Sequence, residues 1–302
     1  MKLFYTDHFE LPLPEGHRFP MAKYRKLRNR IVSDPAFLTD TLLVPNAATV
    51  AQLCLAHDAE YVRRVIAGEL SPTEIKRIGF PWTSAMVERS QRSSGATLAA
   101  ARWAMSEGIA VNLAGGTHHA MRDAGEGFCV FNDAAVAIQC LRAESQIDRA
   151  VVIDCDVHQG NGTAQIFAEI PNVFTFSIHG EKNFPIRKFP SDLDIDLPDG
   201  TSDIDYLAHL KQGLEQVFQH GPFELAIYLA GADPFEGDRL GRLKLTKRGL
   251  LARDELVLSE LRRRHIPVVV AMAGGYAFSI DDIVDIHFET IRLASALQRL
   301  QF

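Results

Sequence analysis

The sequence predicts an α/β protein built on a single parallel sheet with helices on both faces. Short apolar runs, Ile109–Leu113, Ala150–Ile153, Val173–Ile178, Leu225–Leu229 and Pro267–Met272, alternate with longer segments of helical periodicity. Strands of a parallel sheet are buried on both faces and read as such continuous runs. Their alternation with helices gives the α/β class. Four of the runs also end in polar or ionisable residues, three of them through a glycine-containing turn. Open α/β sheets bind ligands beyond the carboxyl ends of their strands, so these four ends mark where chemistry is expected.

Residues 1–45 are mixed, punctuated by Pro12, Pro14, Pro20 and Pro35, with an irregular turn at Gly16–Met21 and a short basic helix around Lys23–Ile31. From Ala47 to about Gly68 apolar residues recur at helical spacing (Val50, Leu53, Leu55, Tyr61, Val62, Val65), with Gly68 as the stop. Pro81-Trp82 precedes a long helix, Ser84 to Glu107, closed by Gly108. The strand Ile109–Leu113 then leads into Ala114-Gly115-Gly116-Thr117-His118-His119. A turn at Asp123–Gly127 comes before Phe128–Asn132 and a helix to about Ala143. After Ala150–Ile153 come a helix near Thr163–Glu169 and the strand Val173–Ile178, which ends in His179-Gly180. Residues 180–203, rich in Pro, Asp and Gly, read as loop, and a helix follows from Ile204 to His220. Leu225–Leu229 ends in Ala230-Gly231-Ala232-Asp233, and a polar loop reaches Leu245 before a helix capped by Thr246 and running to Arg264. Pro267–Met272 ends in Ala273-Gly274-Gly275-Tyr276, and Ile280–Leu300 is a final helix.

With 302 residues, 47% apolar and 23% charged, the chain has ordinary globular composition and ample length for a large core. It shows no internal repeat, low-complexity tract or linker, so residues 1–302 are expected to form one domain. The net charge of −6 gives no sign of a nucleic-acid-binding surface. Arg262-Arg263-Arg264 reads as a helix C-terminus favoured by the macrodipole. No apolar run approaches the roughly 18–20 residues that span a bilayer, and the N-terminus turns polar too early for a signal peptide. Cys54, Cys129, Cys140 and Cys155 form neither a CxxC pair nor a disulfide framework. A reduced, cytoplasmic protein is expected, without membrane or nucleic-acid partners.

The organising stretch is Arg149–Thr163. Asp154, Asp156 and His158 follow the strand at every second position, and alternate residues of extended chain point to one side. Carboxylates that close repel unless a cation lies between them. Alone, the pattern is more often a strand-end turn with helix-capping carboxylates than a metal site. Parallel strands would bring His118-His119, Asp233 and Tyr276 to the same edge, and that convergence favours a divalent-metal site. Asp156, His158 and Asp233 would leave a coordination position open, as catalytic sites do. Zinc fits this set, and so do Fe(II) and Mn. The tandem histidines offer a general base and acid, and Tyr276 offers a donor to a developing oxyanion. A Gly-x-Ser-x-Gly elbow and a P-loop are absent. Gly160-Asn161-Gly162 begins like a dinucleotide fingerprint but has Gln165 at the third glycine, which leaves nucleotide binding a distant alternative.

Five ordered motifs resemble the histone deacetylase family: Gly115–Ala120, Gly127–Asp133, Asp154–Gly162, Gly231–Asp233 and Gly274–Tyr276. The likeness spans roughly residues 1 to 290, and His158-Gln159-Gly160-Asn161-Gly162 is most similar to the class IV branch and its microbial relatives. The resemblance implies an arginase-like three-layer α/β fold and hydrolysis of N-acyl-lysine-type amides. It implies Zn²⁺, with Fe²⁺ as the alternative, on Asp156, His158 and Asp233. His119 would be general base and then acid, His118 its electrostatic neighbour oriented by Asp154, and Tyr276 the carbonyl polariser. Asp154, Asp156, His158, Ser177 and Ile178 would correspond to the family's monovalent-cation site, taking K⁺. Phe128 and Phe184 would wall an acyl-lysine tunnel, Gly127 would offer its carbonyl to the substrate amide, and Arg18 would lie near an acetate-release cavity. Two departures stand out. Asn161 replaces an aspartate, giving His119 a neutral partner, and Gln159 replaces a histidine. Acylated polyamines, longer acyl chains and a non-catalytic acyl-lysine reader are the competing expectations. A ureohydrolase would need two metals and more bridging aspartates.

Overall fold

Eight strands form one sheet in the computed structural model, which describes residues 1–300, and every neighbouring pair is parallel. In chain order the elements are β1 (Lys2–Phe4), α1 (Ala22–Ser33), β2 (Thr41–Leu43), α2 (Val50–Leu53), α3 (Ala59–Ala67), α4 (Pro72–Ile78), α5 (Ser84–Glu107) and β3 (Ile109–Asn112). Next come α6 (Asp133–Ala143), β4 (Ala150–Asp154), α7 (Asn161–Phe167), β5 (Val173–Gly180), β6 (Leu193–Leu197) and α8 (Asp203–Val217). The chain continues through β7 (Leu225–Leu229), α9 (Lys247–Arg263), β8 (Val268–Ala271) and α10 (Ile280–Arg299). Across the sheet the order is β2-β1-β3-β8-β7-β4-β5-β6. The four strands whose ends carry chemistry, β3, β8, β7 and β4, are therefore the central four, and parallel pairing puts their carboxyl ends on one edge.

Alternation along the strands builds two cores. Ala150, Val152, Ile227 and Val269 belong to one, with residues of α5 and α6. Val151, Ile153, Tyr228 and Val270 belong to the other, with residues of α8, α9 and α10. The expected α/β architecture, with helices on both faces, is what the chain adopts. No helix of the described residues is long and apolar enough to cross a membrane.

Several elements differ from the sequence expectation. β1 and β2 lie in the region read as mixed, and three residues each are too few to show a period. β6 lies inside the region read as loop. Its Leu-Asp-Ile-Asp-Leu alternation packs the apolar residues on the core, while Asp194 accepts from Gln159 and Asp196 pairs with His179. The helix expected from Ala47 to Gly68 is two helices. α2 ends after one turn, behind a capping box of Thr49 and Gln52, and α3 ends at Gly68 in a left-handed conformation. α4 is a helix the sequence reading did not include, although its signal stands in the chain: Ser71 and Glu74 form a capping box with Pro72 at the first helical position.

The break between α2 and α3 holds His57, which is buried. Its Nδ1 lies 2.8 Å from the Met121 carbonyl, and its Nε2 accepts from the Asn132 amide at 2.9 Å. His57 thus joins the two ends of the segment that carries Gly127 and Phe128. Burial pushes its pKa down to about 4, against weaker support from the backbone of Met121 and Arg122. The unfolded chain therefore binds this proton at higher pH than the native state does. Stability from neutral His57 is complete above about pH 6.5 and is lost as pH falls toward 4, by roughly 3 kcal/mol. Urea midpoints measured from pH 7 to pH 4 should fall less steeply in His57→Gln than in the wild type.

Candidate active site

The backbone turns immediately after β4. Asp154 ends the strand, and its Oδ1 accepts the Asp156 amide at 3.1 Å; Asp156 Oδ1 in turn accepts the His158 amide at 3.0 Å. The alternate-residue argument from extended chain does not apply beyond Asp154, because the side chains themselves fold the chain into a turn. The result separates Asp154 from the other two. Asp154 Oδ2 pairs with His118 Nδ1 at 2.6 Å, while Asp156 and His158 join Asp233, their ligand atoms all within 4.8 Å of one another.

His118 and His119 follow β3 on a loop tied to the start of α6. Asp133 accepts from the Gly116 and Thr117 amides and from the hydroxyls of Thr97 and Thr117. Asn132 caps α6 through the Ala135 amide and donates to the Ala120 carbonyl. The two imidazoles stack obliquely, centroids 4.1 Å apart. His119 Nδ1 lies 2.7 Å from Asn161 Oδ1, and its ring meets the edge of Phe184 at 4.9 Å. Gly127 permits this closeness, since its φ is +56° and a Cβ there would lie 2.6 Å from His119 Cδ2.

Asp156, His158 and Asp233 fit a divalent cation. All three are buried, and Asp233 Oδ2 has no hydrogen-bond partner. The Nδ1 of His158 points at both carboxylates, 2.9 Å from Asp156 and 3.3 Å from Asp233. Gly274 leaves room, since a Cβ there would lie 1.8 Å from Asp233 Oδ2. Burial raises Asp233 to about 7, reinforced by the neighbouring Asp156 charge. Burial would lower His158, yet its hydrogen bond to Asp156 and the close Asp233 carboxylate hold it up at about 10. The carboxylates thus attract a proton onto the imidazole, and a divalent cation would take the place of that positive charge.

The two tandem histidines are driven apart. Burial lowers His118, but the charges of Asp154 and Asp156 outweigh it and hold it at about 9. Burial, then the positive neighbours His118 and His158, keeps His119 well below the usual histidine range. The surroundings thus favour the charged form of His118 and the neutral form of His119, a division suited to acid–base chemistry.

Tyr276 is positioned by its backbone. Its amide donates to Asp238 Oδ2 at 2.6 Å, and its carbonyl accepts from Arg239 Nε at 2.8 Å. Its ring packs near Phe128 and Phe19, at 6.0 and 6.2 Å. The hydroxyl has no hydrogen-bond partner among the described residues and is left for a ligand. Burial and the nearby charges of Asp233 and Asp156 hold it well above the usual phenol range, so it stays a donor.

Two joined cavities meet here. An inner one of about 40 Å³ is lined by Phe19, Arg89, His118, His119, Phe128 and Tyr276, among others. An outer mouth of about 510 Å³ brings Arg18, Gly127, Phe128, Phe184 and Tyr276 together. Arg18 is exposed at this mouth and does not reach the inner cavity, where Arg89 stands instead. A buried lysine, Lys23, lies behind Tyr276, with Nζ 3.4 Å from the Ala273 and Gly275 carbonyls. Neither Arg89 nor Lys23 carries a sequence signal beyond charge on a helix. Ser177 stands directly opposite Asp154 in the β4–β5 register, with Ile178 next along the strand. The Gly127 carbonyl already receives the Cys129 thiol at 3.4 Å, leaving its second lone pair.

The fold is an arginase-like α/β sheet whose central strand ends carry a buried carboxylate–histidine group that could hold a metal ion. The histone deacetylase domain matches residues 17–291, and the chain belongs to the histone deacetylase family. It is 42% identical over 283 residues to an uncharacterised protein of Picosynechococcus, covering 94% of each chain. It is 29% identical to histone deacetylase 2 of Arabidopsis thaliana, covering 99% of this chain and 80% of that one. The crystal structure of an HDAC homolog complexed with SAHA superposes with a TM-score of 0.82 at 23% identity, covering 98% of this chain and 83% of that one.

Proposed function

We propose that the protein hydrolyses N-acyl-lysine-type amides as one catalytic domain of residues 1–302, on the class IV-like side of the family. The observation that carries this reading is the common cavity lined by a neutral imidazole, an unpartnered phenol, and Asp156 and His158, two members of the three-ligand group that the adjacent Asp233 completes. Asp156, His158 and Asp233 would hold the divalent ion, zinc or ferrous iron, which acidifies water and polarises a carbonyl when bound. His119 takes the proton of the attacking water at Nε2 and delivers it to the leaving amine. Tyr276 donates to the oxygen of the tetrahedral species. His118, held positive by Asp154, stabilises the same charge. Phe128 and Phe184 flank the acyl-lysine stem, Gly127 accepts the amide N–H, and Asp154, Ser177 and Ile178 belong to the K⁺ site beneath. A cytoplasmic location is part of the same reading.

The test is release of acyl groups from acetyl-lysine peptides, long-chain acyl-lysine peptides and acetylated polyamines, run beside Asp156→Ala. Turnover that disappears in the mutant, with one metal per chain, supports the reading. Binding without turnover by the metal-loaded protein would make it an acyl-lysine reader, and two metals per chain would favour a ureohydrolase.

The mouth favours one substrate class. Arg18, Arg77, Lys182 and Arg242 line it against a single carboxylate, Glu126. Arg242 pairs with Asp199 at 3.0 Å, while the other three cations have no carboxylate partner among the described residues. An acetyl-lysine flanked by Asp or Glu should therefore be preferred over one flanked by Lys or Arg, and over acetylated polyamines. The expected margin in kcat/KM is roughly ten-fold at low salt, shrinking as salt screens exposed charge. Arg18→Glu with Lys182→Glu should reverse the order; equal rates for acidic and basic flanks would rule out charge selection.

A further inference from the structure

We propose that Glu126 fixes which nitrogen of His119 carries the proton, acting through Asn161. The three side chains form one line. Asn161 Nδ2 donates to Glu126 Oε1 at 2.7 Å, and Asn161 Oδ1 lies 2.7 Å from His119 Nδ1. A carboxylate only accepts, and a carboxamide has one accepting and one donating end. Glu126 therefore holds the NH₂ end of Asn161, which turns Oδ1 toward His119. Because Oδ1 only accepts, Nδ1 must carry hydrogen. In a neutral ring the lone pair is then on Nε2, which has no hydrogen-bond partner among the described residues and belongs to the ring that lines both cavities.

An aspartate at position 161 would need no such help, since both of its oxygens accept. With asparagine, a half-turn of the amide presents NH₂ to Nδ1 and moves the ring hydrogen to Nε2, where it blocks proton uptake. Asn161 is buried, so water does not enforce the choice. Glu126 is a positioning residue, one step removed from the reacting atoms, and its function follows from the replacement at Asn161.

The inference rests on the deacylase reading only for its kinetic arm. Nitrogen-15 NMR of the histidine rings, with His119→Ala used to assign the signals, should find Nδ1 protonated and Nε2 bare in the wild type. Glu126→Ala should mix or reverse the two forms and lower kcat about ten-fold, with KM within about two-fold. Adding Asn161→Asp should restore both the Nδ1–H signature and kcat, which a purely structural role of Glu126 would not allow. An unchanged tautomer in folded Glu126→Ala, or a loss that Asn161→Asp does not repair, overturns the proposal. If the wild type hydrolyses nothing, the deacylase reading falls and the NMR arm still decides the tautomer.

Discussion

Tyr276→Phe is expected to fold as the wild type does and to lose about 10²–10³ in kcat. The two halves of that expectation have separate causes. What holds residue 276 is its backbone, bonded to Asp238 and Arg239, and its ring, packed with Phe128 and Phe19. Phenylalanine keeps all of this. The hydroxyl contributes no hydrogen bond to the resting protein, so its removal should change stability by well under 1 kcal/mol. Its value is differential, because a donor aimed at an oxygen that becomes negative binds the transition state more tightly than the substrate. The measurement is kcat and KM on an acetyl-lysine peptide beside a thermal melt. A kcat within about three-fold of wild type would remove Tyr276 from the mechanism, and a large fall in Tm would make it a structural residue.

The parts of the site that were legible share one property: each stands at the end of an apolar run, three of the four through a glycine-containing turn. His118-His119, Asp156-Val157-His158, Asp233 and Gly274-Gly275-Tyr276 are all of this kind. Parallel strands can only deliver such ends to one edge, so convergence followed from topology. Asp154 was grouped with the metal ligands by its spacing, and the turn after β4 gives it to His118 instead. That turn is made by side chain to backbone bonds, which periodicity does not report. The tandem histidines were assigned different duties only through the family likeness. Their electrostatic separation comes from tertiary neighbours: Asp154, 36 residues away, holds His118 up, while burial and the neighbouring His118 and His158 keep His119 down.

Arg18 illustrates the opposite case. A basic residue in an irregular segment carries no period that would place it, and the structure leaves it at the rim while Lys23 and Arg89 go inside. Glu126 was invisible for a similar reason, since a glutamate in a polar turn usually faces solvent. The charge at the mouth was equally hidden. Arg18, Arg77, Lys182 and Arg242 are scattered over the sequence of an acidic chain and meet only in the fold. Charge buried by tertiary partners is the class of feature that one sequence conceals most completely.

Arg253 is the strongest example, and its replacement is the other large effect expected. It stands on α9 in a sequence context that reads as a solvated helix face, yet it is fully buried. Its Nη1 donates to the Gly231 carbonyl at 2.6 Å and to the Cys155 carbonyl at 3.3 Å. Cys155 precedes Asp156, and Gly231 lies two residues before Asp233, so one guanidinium braces both ligand-bearing turns from below. Its Nε donates to Asp254, which also accepts the hydroxyls of Tyr228 and Thr290. Arg253→Ala would strand the Asp254 carboxylate in the core and free two carbonyls, at an expected cost of about 3–5 kcal/mol in stability. Arg253→Lys keeps the charge but lacks the planar fork that spans two carbonyls. It should fold, lose less stability, and still bind the divalent ion about 10–100-fold more weakly, the usual effect of removing support behind metal ligands. Urea unfolding and metal titration of the two variants separate these effects. If Arg253→Lys binds metal as the wild type does, the brace is charge alone, and the geometry of the Asp156 and Asp233 turns is set by the sheet without it.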